Sequence, residues 1–209
     1  KIMENPQRLV RSRLPFKSEK MGVLTGMLLG DAGMTRKYPK NITLCHSESQ
    51  KEYFDWKCSI LEHFGFNKNK VREMYSLSGK KWFIVDFVDK KLEFFYRKFY
   101  RFDKKRIQRI VNLQNLRHLN LYGLAIWFMD DGNLVKNGYP YVCLNTQAYT
   151  YEEHILLQKF FKKKYNLNVK IHKDKHYFKL YFGSENDTAK HFVTMIEPYI
   201  HKSMEYKLR

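Results

Sequence analysis

The sequence predicts an α+β fold made of two pseudo-symmetric halves, each with the element order αββαββα. One observation is that the same order of apolar helix, strand-like segments and amphipathic helices occurs twice. A second is the spacing, because Asp31 and Asp131 lie 100 positions apart, and each is followed by a lysine, Lys105 or Lys207, after 74 or 76 positions. Chance would not keep this spacing across four landmarks, so a duplicated fold is expected.

The first half is predicted to span residues 18–105, after an N-terminal extension of residues 1–17. An apolar helix over 21–30 leads into a strand at 42–47, and a helix with apolar residues at three- and four-residue steps follows from position 53. The segment 80–88 alternates like a strand. A closing helix carries a buried stripe, formed by Leu92, Phe95, Tyr96 and Phe99.

The second half, predicted over residues 118–209, repeats this order after a polar linker at 106–117. An apolar stretch over 121–132, ending in Asp-Asp-Gly, precedes a strand at 141–147 and a helix from position 155. In the strand 177–182 the apolar residues Phe178, Leu180 and Phe182 face one way. A last helix has its stripe at Ala189, Phe192, Val193 and Ile196.

Composition points to a polyanionic partner. Lys and Arg total 39 against 21 Asp and Glu, a net charge of +18 in 209 residues, which favours nucleic acid or an anionic membrane surface. The longest apolar stretches are about half the roughly 20 residues that a membrane span requires, so no membrane partner is expected. Three cysteines without a CxxC pair favour a reduced intracellular compartment, with an organelle such as a mitochondrion left open. The pair His172 and His176 lacks further zinc ligands, so a basic turn is expected there.

The two acids at the ends of apolar helices are the main functional signal. Gly26 and Gly30 share one face of the first helix, and glycine costs about 1 kcal/mol in a helix interior, so close approach of another backbone is expected. Two such helices side by side would bring Asp31 and Asp131 together. Divalent cations would relieve the repulsion between the carboxylates, and Mg²⁺ suits such a site because it takes few protein ligands together with water and phosphate oxygens. Capping of a turn by each acid is the competing interpretation.

The stretches LTGMLLGDA (24–32) and LAIWFMDDG (124–132) resemble the two copies of the motif that names the LAGLIDADG homing endonucleases, in their single-chain, two-motif, intron-encoded form. The segments LNTQ and MEYKL extend the resemblance, which covers residues 18–209. It implies halves joined through the paired motif helices, with β-sheets forming a DNA-binding saddle. It also implies a monomer that cuts both strands of a long, specific DNA site with Mg²⁺, for which Mn²⁺ or Ca²⁺ can substitute.

The resemblance implies roles for individual residues. The metal-binding acids fall on Asp31 and Asp131, and Asp130 is expected to be structural. The active-site lysines fall on Lys207 and on Lys105, with Lys104 as a rival. A polar strand residue that orders water at the cleaved phosphate falls on Gln147, and its counterpart in the first half is expected to be His46.

The chain departs from the family pattern at several motif positions. Ala32 replaces the glycine that ends the first motif, and Ile126 and Asp130 stand where the second motif prefers small residues. These departures question the symmetry of the helix packing but leave the acids in place. A histidine opposite a glutamine implies two unequal sites.

Basic residues next to predicted strands are expected to contact DNA, because a two-stranded ribbon fits the major groove. These are Lys68, Lys70, Arg72, Lys80, Lys81, Lys170, Lys175 and Lys179. Two other functions share the fold and the charge: an intron RNA maturase, which would have intron RNA as its partner, and a catalytically silent DNA-binding protein. The intact acids favour DNA cleavage, and the target sequence stays unknown.

Overall fold

A computed structural model describes residues 16–103 and 106–209 of the chain, and Lys104 and Lys105 lie outside the described residues. The first repeat contains helix α1 (Phe16–Leu29), strand β1 (Asn41–Ser47), helix α2 (Lys51–His63), strands β2 (Asn67–Lys68), β3 (Arg72–Tyr75) and β4 (Lys81–Val88), and helix α3 (Leu92–Phe99). The second contains helix α5 (Leu121–Asp131), strands β7 (Gly132–Val135) and β8 (Tyr141–Leu144), helix α6 (Tyr151–Tyr165), strands β9 (Lys170–Asp174) and β10 (Tyr177–Phe182), and helix α7 (Thr188–Ile196). The predicted α+β class is confirmed.

Each repeat forms one antiparallel sheet. In the first sheet β4 pairs with β1 on one side and with β2 and β3 on the other, and the second sheet has the order β7-β8-β10-β9. The registers of the two sheets agree at an offset of 100 residues, because Gly33 bridges Thr43 and Asn133 pairs with Cys143. The predicted duplication therefore extends to individual backbone positions.

One face of each sheet is apolar and packs under the helices. Ile42 and Leu44 of β1 and Val85 and Phe87 of β4 are fully buried, as are Val142, Leu144, Leu180 and Phe182 in the second sheet. Because side chains alternate along a strand, the intervening residues face outward. The predicted stripes of both closing helices also face the core, since Leu92, Phe99, Phe192 and Ile196 are buried.

Helices α1 and α5 pack directly against each other, and glycine makes the contact possible. A methyl group added at Gly26 would lie 2.5 Å from the backbone Cα and C of Gly123, and one at Gly123 would lie 2.8 Å from the backbone carbon of Gly22. At Gly30 the neighbour is a side chain, with Cβ of Asp130 2.7 Å from an added methyl. The expected close approach is present. The helix contact is asymmetric. The first helix contributes Gly26 and Gly30 from within its motif, whereas the second contributes Gly123, one residue before its motif begins.

The chain between the repeats has structure of its own. Strands β5 (Tyr100–Asp103) and β6 (Arg106–Arg109) pair as a ribbon, and a short helix α4 (Leu113–Leu116) follows. Asn112 caps this helix, because its side chain accepts from the backbone N–H of Asn115. Residues 106–117, predicted as a plain linker, thus contain a strand and a helix. No helix among the described residues is long and apolar enough to span a membrane.

Candidate active site at the ends of the paired helices

Asp31 and Asp131 stand at the same end of the α1–α5 pair. Asp31 comes two residues after the last residue of α1, and Asp131 is the last residue of α5. Burial, then the charges of Asp31 and Asp130, raise the pKa of Asp131 to about 7. Burial, and then the charge of Asp130, also raise the pKa of the Asp31 carboxyl. The charge of Asp31 thus disfavours ionisation of Asp131, a repulsion that a divalent cation would relieve.

Asp130, the seventh residue of the second motif, has a side chain with no solvent exposure. Its Oδ2 accepts from the backbone N–H of Asp31 at 3.0 Å, and its Oδ1 accepts from the Tyr53 hydroxyl at 2.8 Å. The ammonium of Lys57 lies 2.9 Å from both oxygens. Asp130 thus has a structural role next to Asp31, as the sequence suggests.

Two cations bind the backbone beside the acids. Lys207 lies in the C-terminal 3₁₀ helix (Lys202–Leu208), and its Nζ donates to the carbonyl of Asp130 at 3.1 Å. Burial lowers the pKa of Lys207, while the three neighbouring acids act in the opposite direction. Arg109 donates to the carbonyls of Gly30, at 2.5 Å, and Ala32, at 2.7 Å.

Arg109 is the positional counterpart of Lys207. Gly30 and Asp130 are both the seventh residue of their motifs, and each has its carbonyl held by one of these cations. Lys105 and Lys104, the cations expected here from the resemblance, lie outside the described residues. Spacing does not single out Arg109, because Arg109 and Lys105 follow Asp31 by 78 and 74 positions, each two away from the 76 that separate Asp131 and Lys207.

The pairing of His46 with Gln147 is wrong in register. At the offset of 100 residues that the sheets follow, His46 corresponds to Thr146, and Ser47 corresponds to Gln147. His46 and Thr146 are each 1% exposed and lie on the helix side of their sheets. Burial, and then the charge of Lys57, lower the pKa of His46 to about 4. His46 is therefore neutral, with its Nδ1 4.0 Å from a carboxylate oxygen of Asp31.

Further candidates for residues that order water lie on the outward side of the same segments. Cys45 is half-buried, and its thiol pKa is raised by burial and then by the charge of Asp31. Asn145, the equivalent residue in the second half, is exposed, and its backbone N–H donates to the carbonyl of Asp131 at 2.9 Å. Gln147 is two residues farther along this face, with its amide 3.4 Å from Asp174. Asn145 is thus linked to Asp131 through the backbone, and Gln147 contacts Asp174.

The predicted DNA contacts divide between the two sides of the sheets. Arg72 pairs with the outward-facing Ile84, and Lys170 pairs with the outward-facing Tyr181, next to Lys179. The exposed Lys70, Lys80 and Lys175 lie in loops at the sheet margins. Lys68 instead pairs with the buried Phe87 and reaches Glu62 on α2 at 3.3 Å. Lys81 lies on the side of Phe83, with its Nζ 4.9 Å from that ring.

Lys68 and Lys81 therefore lie on the helix side of the first sheet. On the outward face of the second sheet, aromatic rings accompany the cations. Tyr141 and Tyr181 have ring centroids 4.7 Å apart, and His172 stacks on Tyr181 at 4.1 Å. His172 thus belongs to this surface.

The residues that could bind a metal ion lie close to Asp31. Among the described residues, one group of potential ligands is close enough to share an ion: Asp31, His46 and Asp130. The Lys57 ammonium already lies between His46 and Asp130, at 3.2 Å and 2.9 Å, so this interior position holds a cation of the protein itself. For a metal ion, the solvent-facing carboxylate of Asp31 together with Asp131 is therefore a better set of ligands than the group that includes His46 and Asp130. The three cysteines are free thiols, and burial raises the pKa of Cys58 to about 12.

A family model described as the LAGLIDADG DNA endonuclease family matches residues 21–189. A probable intron-encoded DNA endonuclease 3 of Mycosarcoma maydis is 28% identical over 130 residues, covering 62% of this chain and 93% of that protein. The cytochrome b mRNA maturase bI2 of Debaryomyces hansenii is 27% identical over 217 residues, covering 100% of this chain and 80% of that protein.

The fold also resembles a solved structure. The homing endonuclease I-WcaI, bound to its DNA recognition sequence, superposes with a TM-score of 0.74 at 19% sequence identity. The match covers 99% of this chain and 94% of that one. At this identity the likeness concerns the fold, and it agrees with the predicted arrangement of helices and antiparallel sheets.

Proposed function

Because the chain belongs to the LAGLIDADG DNA endonuclease family, we propose that this site-specific endonuclease makes a double-strand break by metal-dependent hydrolysis at Asp31 and Asp131. The observation that carries this is the convergence of the two acids at one end of the helix pair, with the pKa of both raised by burial and by nearby carboxylates. Such carboxylates favour a divalent cation, and Mg²⁺ fits a site with few protein ligands.

A bound cation would lower the pKa of an attacking water and stabilise charge on the phosphoryl oxygens. The protein's own contribution is to hold the carboxylates and to surround them with positive charge. Arg109 holds the carbonyls on either side of Asp31, and Lys207 holds the carbonyl of Asp130; in the proposed reaction both would balance charge that develops on the phosphate. Asn145 and Gln147 would orient water near Asp131.

The two repeats, residues 18–105 and 118–209, are proposed to contact the two halves of a long duplex site through the outward faces of their sheets. The cations on or beside these faces are Lys70, Arg72, Lys80, Lys170, Lys175 and Lys179. They would neutralise phosphates, and the neighbouring side chains would read base edges in the major groove. Lys68 and Lys81 are left out because they lie on the helix side.

The test is cleavage of a selected substrate. Plasmids with randomised inserts are incubated with the protein and Mg²⁺, and the linearised molecules are captured and cloned. We expect recovery of a long consensus site, linearised by the wild-type protein and not by an Asp31→Asn/Asp131→Asn double variant that still binds it. Binding without nicking at any Mg²⁺ concentration would refute the nuclease and support a catalytically silent binder.

Action as an intron RNA maturase is the alternative, because the relative matched over the whole chain is an mRNA maturase. This function would not require the paired acids. Splicing assistance retained by the double-acid variant, with no DNA cleavage by the wild type, would favour the maturase.

A further inference from the structure

The fold contains a buried ion pair that the proposed hydrolytic reaction itself does not use. Lys57 of α2 and Asp130 of α5 both have side chains with 0% exposure, and they join the two halves. Breaking a buried pair leaves an uncompensated charge at a cost of about 3–5 kcal/mol, whereas a pair of apolar residues is often tolerated. Retaining charge here therefore calls for a reason beyond stability.

Every polar atom of the pair is engaged. The ammonium of Lys57 donates to both oxygens of Asp130 and, at 3.2 Å, to Nε2 of His46. An ammonium can only donate, so Nε2 of His46 accepts and the ring proton is on Nδ1. That Nδ1 lies 3.2 Å from Oε1 of Gln50 and 4.0 Å from Oδ2 of Asp31. Lys57 thereby fixes the tautomer of the histidine that faces the first acid.

Asp130 acts on Asp31 by a second route. At the end of α1, Gly30 donates to Gly26 and Ala32 donates to Met27 within the chain's own last turns. The N–H of Asp31 instead donates to Oδ2 of Asp130. In a continued α-helix this N–H would donate to the carbonyl of Met27, four residues back, which accepts from Ala32 instead. A carboxylate from the other half thus orients the peptide that carries the first acid.

The second half has no equivalent. The positions 100 residues after Lys57 and His46 are Leu157, which is fully buried, and Thr146, which bonds to His154 at 2.8 Å. The first-motif counterpart of Asp130 is Gly30. Asp131 therefore lacks the arrangement that holds Asp31.

We propose that Lys57 and Asp130 are a positioning pair for cleavage of one DNA strand, which orients Asp31 through its backbone N–H and fixes the tautomer of the neighbouring His46. This inference rests on the proposed nuclease function. Because only Asp31 is held in this way, loss of the pair impairs the strand whose cleavage depends most on Asp31, and impairs the other strand less. A purely structural pair would slow both strands by the same factor.

The test removes both charges together, because either single change would leave a buried unpaired charge. Lys57→Met/Asp130→Ala is the loss variant, and Lys57→Met/Asp130→Asn retains an acceptor for the Asp31 N–H. Leu157→Met is the matched control at the equivalent position of the second half. The substrate is the site selected with the wild-type protein, with a different fluorophore on each strand.

The ratio of the two strand-cleavage rates is the decisive measurement, since a misfolded fraction lowers both rates equally and leaves the ratio unchanged. We expect at least a tenfold change in the Ala variant, on the strand that Asp31→Asn impairs most. We expect partial recovery in the Asn variant and no change in the control. Equal slowing of both strands would overturn the proposal.

A second measurement needs neither DNA nor metal. Hydrogen exchange at the Asp31 amide, followed by NMR, should be at least tenfold faster in the Ala variant, while the Asp131 amide keeps its wild-type rate. An unchanged Asp31 amide would contradict the proposed role of Asp130. If the wild-type protein cuts no duplex, the nuclease proposal fails, and the amide measurement alone decides whether the pair orients Asp31.

Discussion

The contact between α1 and α5 gives the most quantitative prediction, made by the substitution Gly26→Ala. The new methyl would lie 2.5 Å from the Cα and carbonyl carbon of Gly123, where ordinary contact begins at 3.4 Å. Backbone atoms cannot escape by changing rotamer, so the helices must separate by at least about 0.9 Å, the difference of these distances. Overpacking costs about 1–3 kcal/mol, and alanine regains about 1 kcal/mol of helix propensity.

Because the contact is with backbone, we take the overpacking cost at about 3 kcal/mol. Subtracting the gain of about 1 kcal/mol in helix propensity leaves an expected net loss of about 2 kcal/mol in the free energy of unfolding. For a chain of this size, that corresponds to a fall in Tm of about 4–8 °C. The separation also moves Asp31 relative to Asp131. Misplacement by about 1 Å costs on the order of 100-fold in rate, so cleavage should fall by that factor while DNA affinity changes little.

Urea denaturation and cleavage of the selected site provide the assay, and Gly33→Ala is the matched control. A methyl at Gly33 meets nothing within 4 Å, so this variant should keep its stability within about 0.5 kcal/mol, as is usual for surface changes. A Gly26→Ala protein as stable and as active as the wild type would refute the inferred close approach of the helices.

Four further predictions concern the acids and the DNA surface. Asp131→Asn should bind the selected site with near wild-type affinity in a gel-shift assay but produce no linear DNA; linearisation at the normal rate would exclude Asp131 from catalysis. Since the pKa of Asp131 is about 7 without metal, Mn²⁺ must displace a proton below that pH, so its calorimetric affinity should weaken by up to about tenfold per pH unit. The same raised pKa means that Asp131 holds its proton more tightly in the folded metal-free protein than in the unfolded chain, so its contribution to urea-measured stability should fall as pH rises from about 4 to 7; both trends should weaken in Asp131→Asn, while the raised pKa of Asp31 keeps a remainder of each. Lys175→Ala should reduce the slope of log affinity against log salt by about 1, whereas Lys68→Ala should leave it unchanged, and equal slopes would remove Lys175 from the phosphate contacts.

The backbone plan could be predicted because it depends on periodicity and spacing. Apolar segments ending in an acid recur at an offset of 100 residues, and the strand pairing that follows each acid keeps that offset. The alternating strands 81–88 and 177–182 recur at a shorter offset, since Leu44 pairs with Val85 and Leu144 pairs with Leu180. Gly26 also predicted the close approach of a second helix, because glycine destabilises a helix interior and is expected there where another backbone comes close. These signals are local, so no three-dimensional information was needed to interpret them.

The side-chain assignments failed where they depend on register. His46 and Gln147 stand in similar-looking segments, LCHS and LNTQ, but a shift of one residue along a strand moves a side chain to the opposite face. The basic run 97–109 offers several cations at nearly equal spacing from Asp31. Only the pairing of β5 with β6, which sets Arg109 opposite Tyr100, shows which cation returns to the end of α1.

Duplication has kept the backbone of the two centres alike while their supporting side chains have diverged. The carbonyl of the seventh motif residue is held by a guanidinium in one half and by an ammonium in the other. Beside Asp31 lies a buried lysine, and the equivalent position beside Asp131 is a leucine. Burial lowers the pKa of the Lys207 ammonium, whereas a guanidinium stays charged. The two acids thus meet different electrostatic surroundings, and for the proposed nuclease we predict that the strands are cut at unequal rates, so that a nicked duplex accumulates before the linear product.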